Sequence, residues 1–355
     1  MQYSNQPGVW YETRLATSQT RRAFSSSPRD EFLNTLRGRS LKKRRVLSVV
    51  FTLVFFFVLW IPSPLSAKKI TILYSNATFS GTALFVAKDA GLCAAAGIEL
   101  ELVLGSGSAP TVSAIVGGHV QFVQASASSI LNAALQGGPV VIVAKVMGPP
   151  PYKLVGGLLV RTLAGLKGKK VGVNRFGGAP DFLLRYVLVK NGFEIPRDVT
   201  ILQTGDPAVR LTSLFTGALD ASMLQVPEEK VAAEKGYPVL VDFGRLPLNY
   251  VNIVLAAHKR FVEENPDLVR SFLACYREGV RKAKSDAEFT KKSLARWTRT
   301  TDPSLLEYTY ELWRTDYAPE SLKLDSKELD LLLESGPKPG SRIDPSQLLD
   351  MRYLP

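Results

Sequence analysis

The feature that most constrains this chain is a strand–loop–helix alternation that runs twice through its middle. Apolar, β-rich runs at 69–74, 98–104, 120–123 and 140–146 are separated by stretches of helical spacing at 81–90, 111–116 and 128–135. The pattern breaks at Pro149-Pro150-Pro151 and restarts. Strands are then expected at 158–160, 170–173, 199–203, 218–223 and 239–242, with helices at 180–190, 207–215 and 227–235. A strand and a helix recurring roughly every 20–25 residues are the pattern of parallel βαβ units. Beyond Lys259 the period is helical throughout, at 266–284, 286–297, 303–313 and 326–333. The sequence therefore reads as an α/β chain of two lobes, each a mostly parallel sheet flanked by helices, with a helical C-terminal tail. Lobe 1 is expected to hold 68–155 and 250–355, and lobe 2 to hold 156–249. Two extended crossings between rigid lobes let them close about a ligand.

The length of 355 residues suits two such lobes, and 46% hydrophobic with 21% charged residues excludes a disordered chain. The net charge of +12 would suggest a nucleic-acid partner, but its location argues otherwise. Residues 1–67 hold ten Lys/Arg against Glu12, Asp30 and Glu31, which leaves 34 basic and 29 acidic side chains for the rest. The basic run Arg37–Arg45 precedes sixteen nearly uninterrupted apolar residues, Val46–Ile61, and Pro62–Ala67 ends in small residues. This is the pattern of a secretory signal peptide over 37–67, cut after Ala67, behind a polar disordered extension at 1–36. The alternative is an uncleaved anchor at 46–61, which is shorter than the about 20 residues of a membrane span.

The remaining composition removes several chemistries. Cys93 and Cys275 are too few for a disulfide scaffold or a four-cysteine zinc site, and both fall in lobe 1, where they could pair or stay separate thiols. His119 and His258 lie in different parts of the pattern and suggest no metal centre. Asp181 and Asp206 adjoin prolines at helix starts and read as helix-start carboxylates, not as a catalytic dyad. The loops that follow strands are rich in Ser, Thr, Gly and Asn, as in 76–81, 105–110, 124–128, 174–180 and 204–207. In open α/β sheets, ligands sit beyond the carboxyl ends of the strands, where such loops offer amide and hydroxyl donors.

Several of these segments resemble one family. Phe85-Val-Ala-Lys-Asp-Ala-Gly-Leu92, Ala96-Gly-Ile-Glu-Leu100 and Ser113-Ala-Ile-Val-Gly-Gly-His-Val120 are similar to the periplasmic solute-binding proteins of ABC importers in the nitrate/sulfonate/taurine class. Leu166-Lys-Gly-Lys-Lys-Val-Gly-Val173 and Leu214-Phe-Thr-Gly-Ala-Leu-Asp-Ala221 resemble the second-lobe segments of that class, so the likeness covers roughly 68–285. The resemblance implies a type II periplasmic binding protein fold, also used by thiamine-pyrimidine synthases. It further implies a non-enzymatic, exported monomer without a cofactor, which hands a small organic anion or related nutrient to a permease and its ATPase. The alternatives are a thiamine-pyrimidine-synthase-like enzyme, for which the required cysteine cluster is missing, and an exported sensing domain.

Matching loops then name the candidate ligand residues. Thr78, Phe79 and Ser80 come from the first strand–helix turn, and Ser126 and Ser128 from the third. Phe176, Gly177, Gly178 and Gln225 come from the second lobe. Phe79 and Phe176 would sandwich the organic part of a ligand while the glycine amides receive its anionic end. The competing reading for each Ser or Thr is an ordinary N-cap. Arg175 is either a partner for an acidic ligand or a solvated surface charge.

Overall fold

The strands assemble into two five-stranded sheets of the same design. The computed structural model describes residues 67–335 and 344–355, so the extension and the signal segment fall outside the described residues. In the first sheet, β1 (Lys68–Tyr74), β2 (Ile98–Leu104), β3 (Phe122–Ser126), β4 (Val140–Met147) and β10 (Ile253–His258) lie in the order β2-β1-β3-β10-β4. In the second, β5 (Tyr152–Gly156), β6 (Lys169–Val173), β7 (Val199–Gln203), β8 (Ala221–Gln225) and β9 (Val239–Asp242) lie in the order β7-β6-β8-β5-β9. β1 is parallel to β2 and β3, and β6 is parallel to β7 and β8. β10 and β5 run antiparallel to both of their neighbours. In each sheet the antiparallel strand is the one laid down as the chain arrives from the other lobe.

Sequence decides which strands are central. β3 and β8 are buried along their whole length, as continuous runs covered by helices on both faces must be. The edge strand β2 alternates Ile98-Glu99-Leu100-Glu101, one face in and one face out. The helices are α1 (Thr82–Asp89), α2 (Ser108–Val116), α3 (Ala127–Leu135), α4 (Ala179–Lys190), α5 (Pro207–Phe215) and α6 (Glu228–Glu234). After β10 come α7 (Lys259–Glu264), α8 (Pro266–Ser285), α9 (Ala287–Thr298) and α10 (Pro303–Leu312), then the short α11 (Asp330–Ser335) and α12 (Pro345–Leu348).

Alternation along β4 splits the first lobe's core in two. Val141 and Val143 join Phe85, Phe272 and Trp313 under the C-terminal helices. Val140 and Ile142 join a second cluster that continues through Ile130 and Leu183 to Val171 and Met223 of the second sheet. The lobes therefore share apolar contacts besides their two crossings. Cys93 and Cys275 form a disulfide with Cα atoms 5.2 Å apart, tying the turn before β2 to α8 and deciding what the sequence left open. Gly279 lets α8 approach α1: a Cβ there would lie 2.5 Å from the Ala83 carbonyl oxygen.

One expected strand is misplaced. Residues 158–160 form a turn closed by Val160 N–H donating to the Gly157 carbonyl at 2.9 Å, and Leu159 is 97% exposed. The strand in that region is β5, squeezed between Pro151 and Gly156-Gly157. Among the described residues, no helix is long and apolar enough to cross a membrane.

Candidate functional site

The carboxyl ends of β1, β2, β7 and β8 converge on a cleft of about 860 Å³ between the lobes. The first lobe contributes Tyr74, Asn76–Phe79 and Leu104–Ser106. The second contributes Asp206–Ala208 and Val226–Glu228, and the C-terminal helices close a third side with Arg296–Thr300, Leu306 and Thr309. Of the residues expected from the sequence, Thr78 and Phe79 line this cleft. Thr78 precedes a single 3-10 turn, and its Oγ1 lies 3.0 Å from the Ser80 hydroxyl. Phe79 is buried edge-on against Tyr317, with ring centroids 5.5 Å apart.

Ser126, Ser128 and the Gly177-Gly178 turn lie where the lobes touch, whereas Ser80 is off the cleft lining, its carbonyl accepting from Gln124 Nε2 at 3.1 Å. Ser126 caps α3, accepting from the Ser129 amide and the Ser128 hydroxyl. Its N-cap role and its burial coexist. Ser129 then donates across the lobes to the Gly177 carbonyl at 2.8 Å. Gly107 sits at φ +96° against Arg175, where a Cβ would lie 2.8 Å from Arg175 Cγ; only glycine allows both the conformation and the contact. Arg175 is thus an interlobe packing residue. The Gly177 amide donates to Asp181 Oδ2 at 2.8 Å, and the Gly178 amide to the Arg175 carbonyl at 3.4 Å, so both are engaged internally. Phe176 is 44% exposed beneath the Arg185 guanidinium and does not face Phe79 across the cleft. Gln225 is buried at the end of β8 opposite Tyr152.

The seam is polar and incompletely bonded. Gln124 Oε1, Asn174 Oδ1, Asn252 Oδ1 and the Tyr250 hydroxyl are buried without hydrogen-bond partners among the described residues. Natural interiors leave few such groups. Burial pushes the Tyr152 hydroxyl up to about 12 and raises Tyr250 well above its ordinary value. Asn252 pins the crossing: its amide donates to the Met147 and Gly148 carbonyls, and its carbonyl accepts from Ala127 at the start of α3.

Three charged features of the site carried no local signal in the sequence. Arg210 of α5 is 1% exposed and donates to the Met223 carbonyl at 2.9 Å and the Gly205 carbonyl at 2.6 Å, fixing the loop that presents Asp206. Desolvation lowers its pKa, with the negative charge of Glu228 opposing that shift. Glu228, on the cleft wall, is pushed up to about 7 by burial. On the opposite wall, Asp89 accepts from Ser293, Arg296 and Trp297 Nε1 at 2.8 to 3.1 Å and so orients that part of the cleft. Trp297 stacks on Phe85 at 5.1 Å and meets Tyr74 edge-on at 6.2 Å.

This geometry agrees with the comparisons to known proteins. The NMT1/THI5-like family model matches residues 78–288, more than half of the chain and both lobes. The chain belongs to the NMT1/THI5-like family. YtlA of Bacillus subtilis strain 168, which is named as a binding protein, is 25% identical over 171 residues. That match covers 47% of this chain, and the chain spans about half the length of this relative, 51%. The alkanesulfonate-binding protein SsuA of Xanthomonas axonopodis pv. citri superposes with a TM-score of 0.64 at 19% identity, covering 81% of this chain and 98% of its own. The nitrate-binding protein NrtA of Synechocystis PCC 6803 gives 0.67 at 15%, covering 81% and 87%. The desulfurization enzyme DSZB gives 0.56 at 16%, covering 80% and 97%. At these identities the solved structures show the fold, a two-lobed periplasmic binding protein architecture, and the NMT1/THI5-like family uses it here with a helical C-terminal region.

Proposed function

We propose that this NMT1/THI5-like chain is an extracytoplasmic solute-binding protein that captures a small organic anion or a related nutrient between its lobes and delivers it to an ABC permease. The observation that carries the reading is the interlobe cleft of about 860 Å³, a volume suited to a small molecule and lined by strand-end loops of both sheets. Thr78 and Phe79 hold the guest on the first-lobe side. Opening of the seam gives it access to Ser126, Ser128, Gln225 and the Gly177-Gly178 turn. Export with a cut after Ala67 and a monomeric state belong to the same proposal, as does a division into lobes at 249/250 and, because Tyr152–Gly156 pairs in the second sheet, before β5 rather than at the expected 155/156.

The test is a thermal-shift screen of residues 68–355 against nitrate, alkanesulfonates, aromatic acids and pyrimidines. A ligand present at about 100 times its Kd stabilises the folded state by about 2.7 kcal/mol. At least one compound is expected to raise the melting temperature, and the rise is expected to shrink in Thr78→Ala combined with Gln225→Ala. No response to any small molecule, or turnover of the bound one by the purified protein, would contradict the proposal.

A further inference from the structure

A second cavity lies in the first lobe, between α8, the segment 319–323 and residues 351–355. It measures about 490 Å³, a size suited to a small molecule, and shares no lining residue with the interlobe cleft. Four cations line it, Arg277, Arg281, Lys284 and Lys323, against the single acidic side chain of Glu320. Arg277, Arg281 and Lys284 recur at intervals of three and four residues and so share one stripe of α8. Lys323 comes from a different segment, held against β4 by the Lys145 amide, which donates to the Leu322 carbonyl at 2.7 Å. Val280 and Leu322, both buried at the edge of the first core, and the partly buried Leu354 give the cavity an apolar side.

Cations late in a helix ordinarily offset its dipole or pair with acids one turn away. Lys282, which is not in the lining, does so with Asp286 at 2.9 Å, and Arg281 pairs with Glu278 at 2.9 Å. Lys284 and Lys323 make no ion pair among the described residues. Arg277 Nε lies 3.8 Å from Glu278 Oε1, beyond hydrogen-bond reach, and is buried without a partner among the described residues. Turning this guanidinium toward the cavity therefore gives up no bond at Nε and gains an acceptor there.

We propose that this cavity is a second binding site, for a phosphate monoester carried on a hydrocarbon body. Arg277 takes the phosphate oxygens with its planar fork, and Lys284 and Lys323 stand beside it as point charges. The hydrocarbon lies along Val280, Leu322 and Leu354. A carboxylate offers two oxygens and one charge, whereas a phosphate monoester offers three strong acceptors and nearly two charges to this excess of cations. The same head group reaches the site either on a free alkyl phosphate or on phosphatidic acid in a bilayer. The site stands apart from whatever the interlobe cleft binds.

The experiment is calorimetric titration of residues 68–355, which lie within one compact unit, with inorganic phosphate, ethyl phosphate, octyl phosphate and octanol. Octyl phosphate is expected to bind about ten-fold or more tightly than any of the other three, because only it fills both halves of the site. Arg277→Gln, and separately Lys284→Gln with Lys323→Gln, should each weaken it about ten-fold while the melting temperature holds. Removing three exposed charges from the second lobe instead, by Lys167→Gln, Lys170→Gln and Lys190→Gln, should change it less than about two-fold. Co-sedimentation with phosphatidylcholine vesicles, with and without phosphatidic acid, separates the two sources. Binding that follows the phosphatidic acid and is lost in the same variants assigns a bilayer lipid, and its absence beside tight octyl phosphate binding assigns a free amphiphile. Octyl phosphate binding no tighter than inorganic phosphate, or binding that the cavity variants weaken no more than the second-lobe variant does, would overturn the inference.

Discussion

The two lobes are built on one plan yet differ in how they are braced. Each has three parallel strands, an antiparallel newcomer and a fourth outer strand in corresponding positions. The first lobe is then overlaid by α8 to α10 and stapled by Cys93–Cys275 across a separation of 182 residues. The second has no such overlay, and its α5 and α6 cover only a small apolar cluster around Leu214, Leu224 and Ala232. Held charges follow the same division. The braced lobe presents an aromatic and cationic wall locked by Asp89, whereas the lighter lobe presents Asp206 and Glu228 on a loop pinned by Arg210. In the proposed capture, the braced half would define the site and the lighter half would close on it.

The bracing can be removed piece by piece. Cys93→Ser with Cys275→Ser opens the longest covalent loop and is expected to cost about 4–5 kcal/mol in the chain-entropy account, measured by urea unfolding of the oxidised parent and the variant. An unchanged midpoint would show that the staple is incidental. Gly279→Leu pushes a side chain into the Ala83 backbone and is expected to destabilise by about 3 kcal/mol, with the first lobe melting before the second.

The second lobe is probed at Arg210. Arg210→Met leaves the Gly205 and Met223 carbonyls without their donors and should cost about 2 kcal/mol, while weakening ligand binding through the loosened Asp206 loop. Glu228 is probed through pH, and the sign of its effect is fixed. Its folded pKa of about 7 lies above the ordinary 4.5, because burial outweighs the pull of Arg210 on the facing helix and is reinforced by the neighbouring charge of Glu229. The folded state thus binds the proton more tightly, and this residue's contribution falls as pH rises from about 4.5 to about 7 and is flat above that. Glu228→Gln should remove that slope from the pH dependence of the melting temperature.

Much of this architecture is written locally, and much of the site is not. The uninterrupted apolar runs of β3 and β8 and the Ile-Glu-Leu-Glu alternation of β2 reveal strands and their place in the sheet, because burial on two faces or one dictates them. Pro149-Pro150-Pro151 hides the start of β5, and the apolar Leu158-Leu159 beyond Gly157 imitates a strand that is a turn. Among the site residues, Thr78 and Phe79 follow from the rule that strand-end loops face the ligand. Arg210, Glu228, Trp297 and Arg299 obey no such rule. Trp297 and Arg299 reach the cleft because α9 and α10 fold back over the first lobe, a long-range event with no local pattern, whereas Glu228 opens α6 just past the end of β8 and Arg210 supports the loop from inside the second lobe. The sequence showed those segments as a helical tail, and the structure makes them a wall of the site. Ser126 shows the opposite case, a residue whose N-cap geometry and seam position are both satisfied by one hydroxyl.

Hydrogen–deuterium exchange with and without the best-binding compound of the thermal-shift screen tests the central idea most directly. A guest held between the lobes must slow exchange together at 76–81 in the first lobe, at 206–208 and 226–228 in the second, and at 296–300. Protection confined to one lobe, or located away from these segments, would contradict a site shared by the two halves.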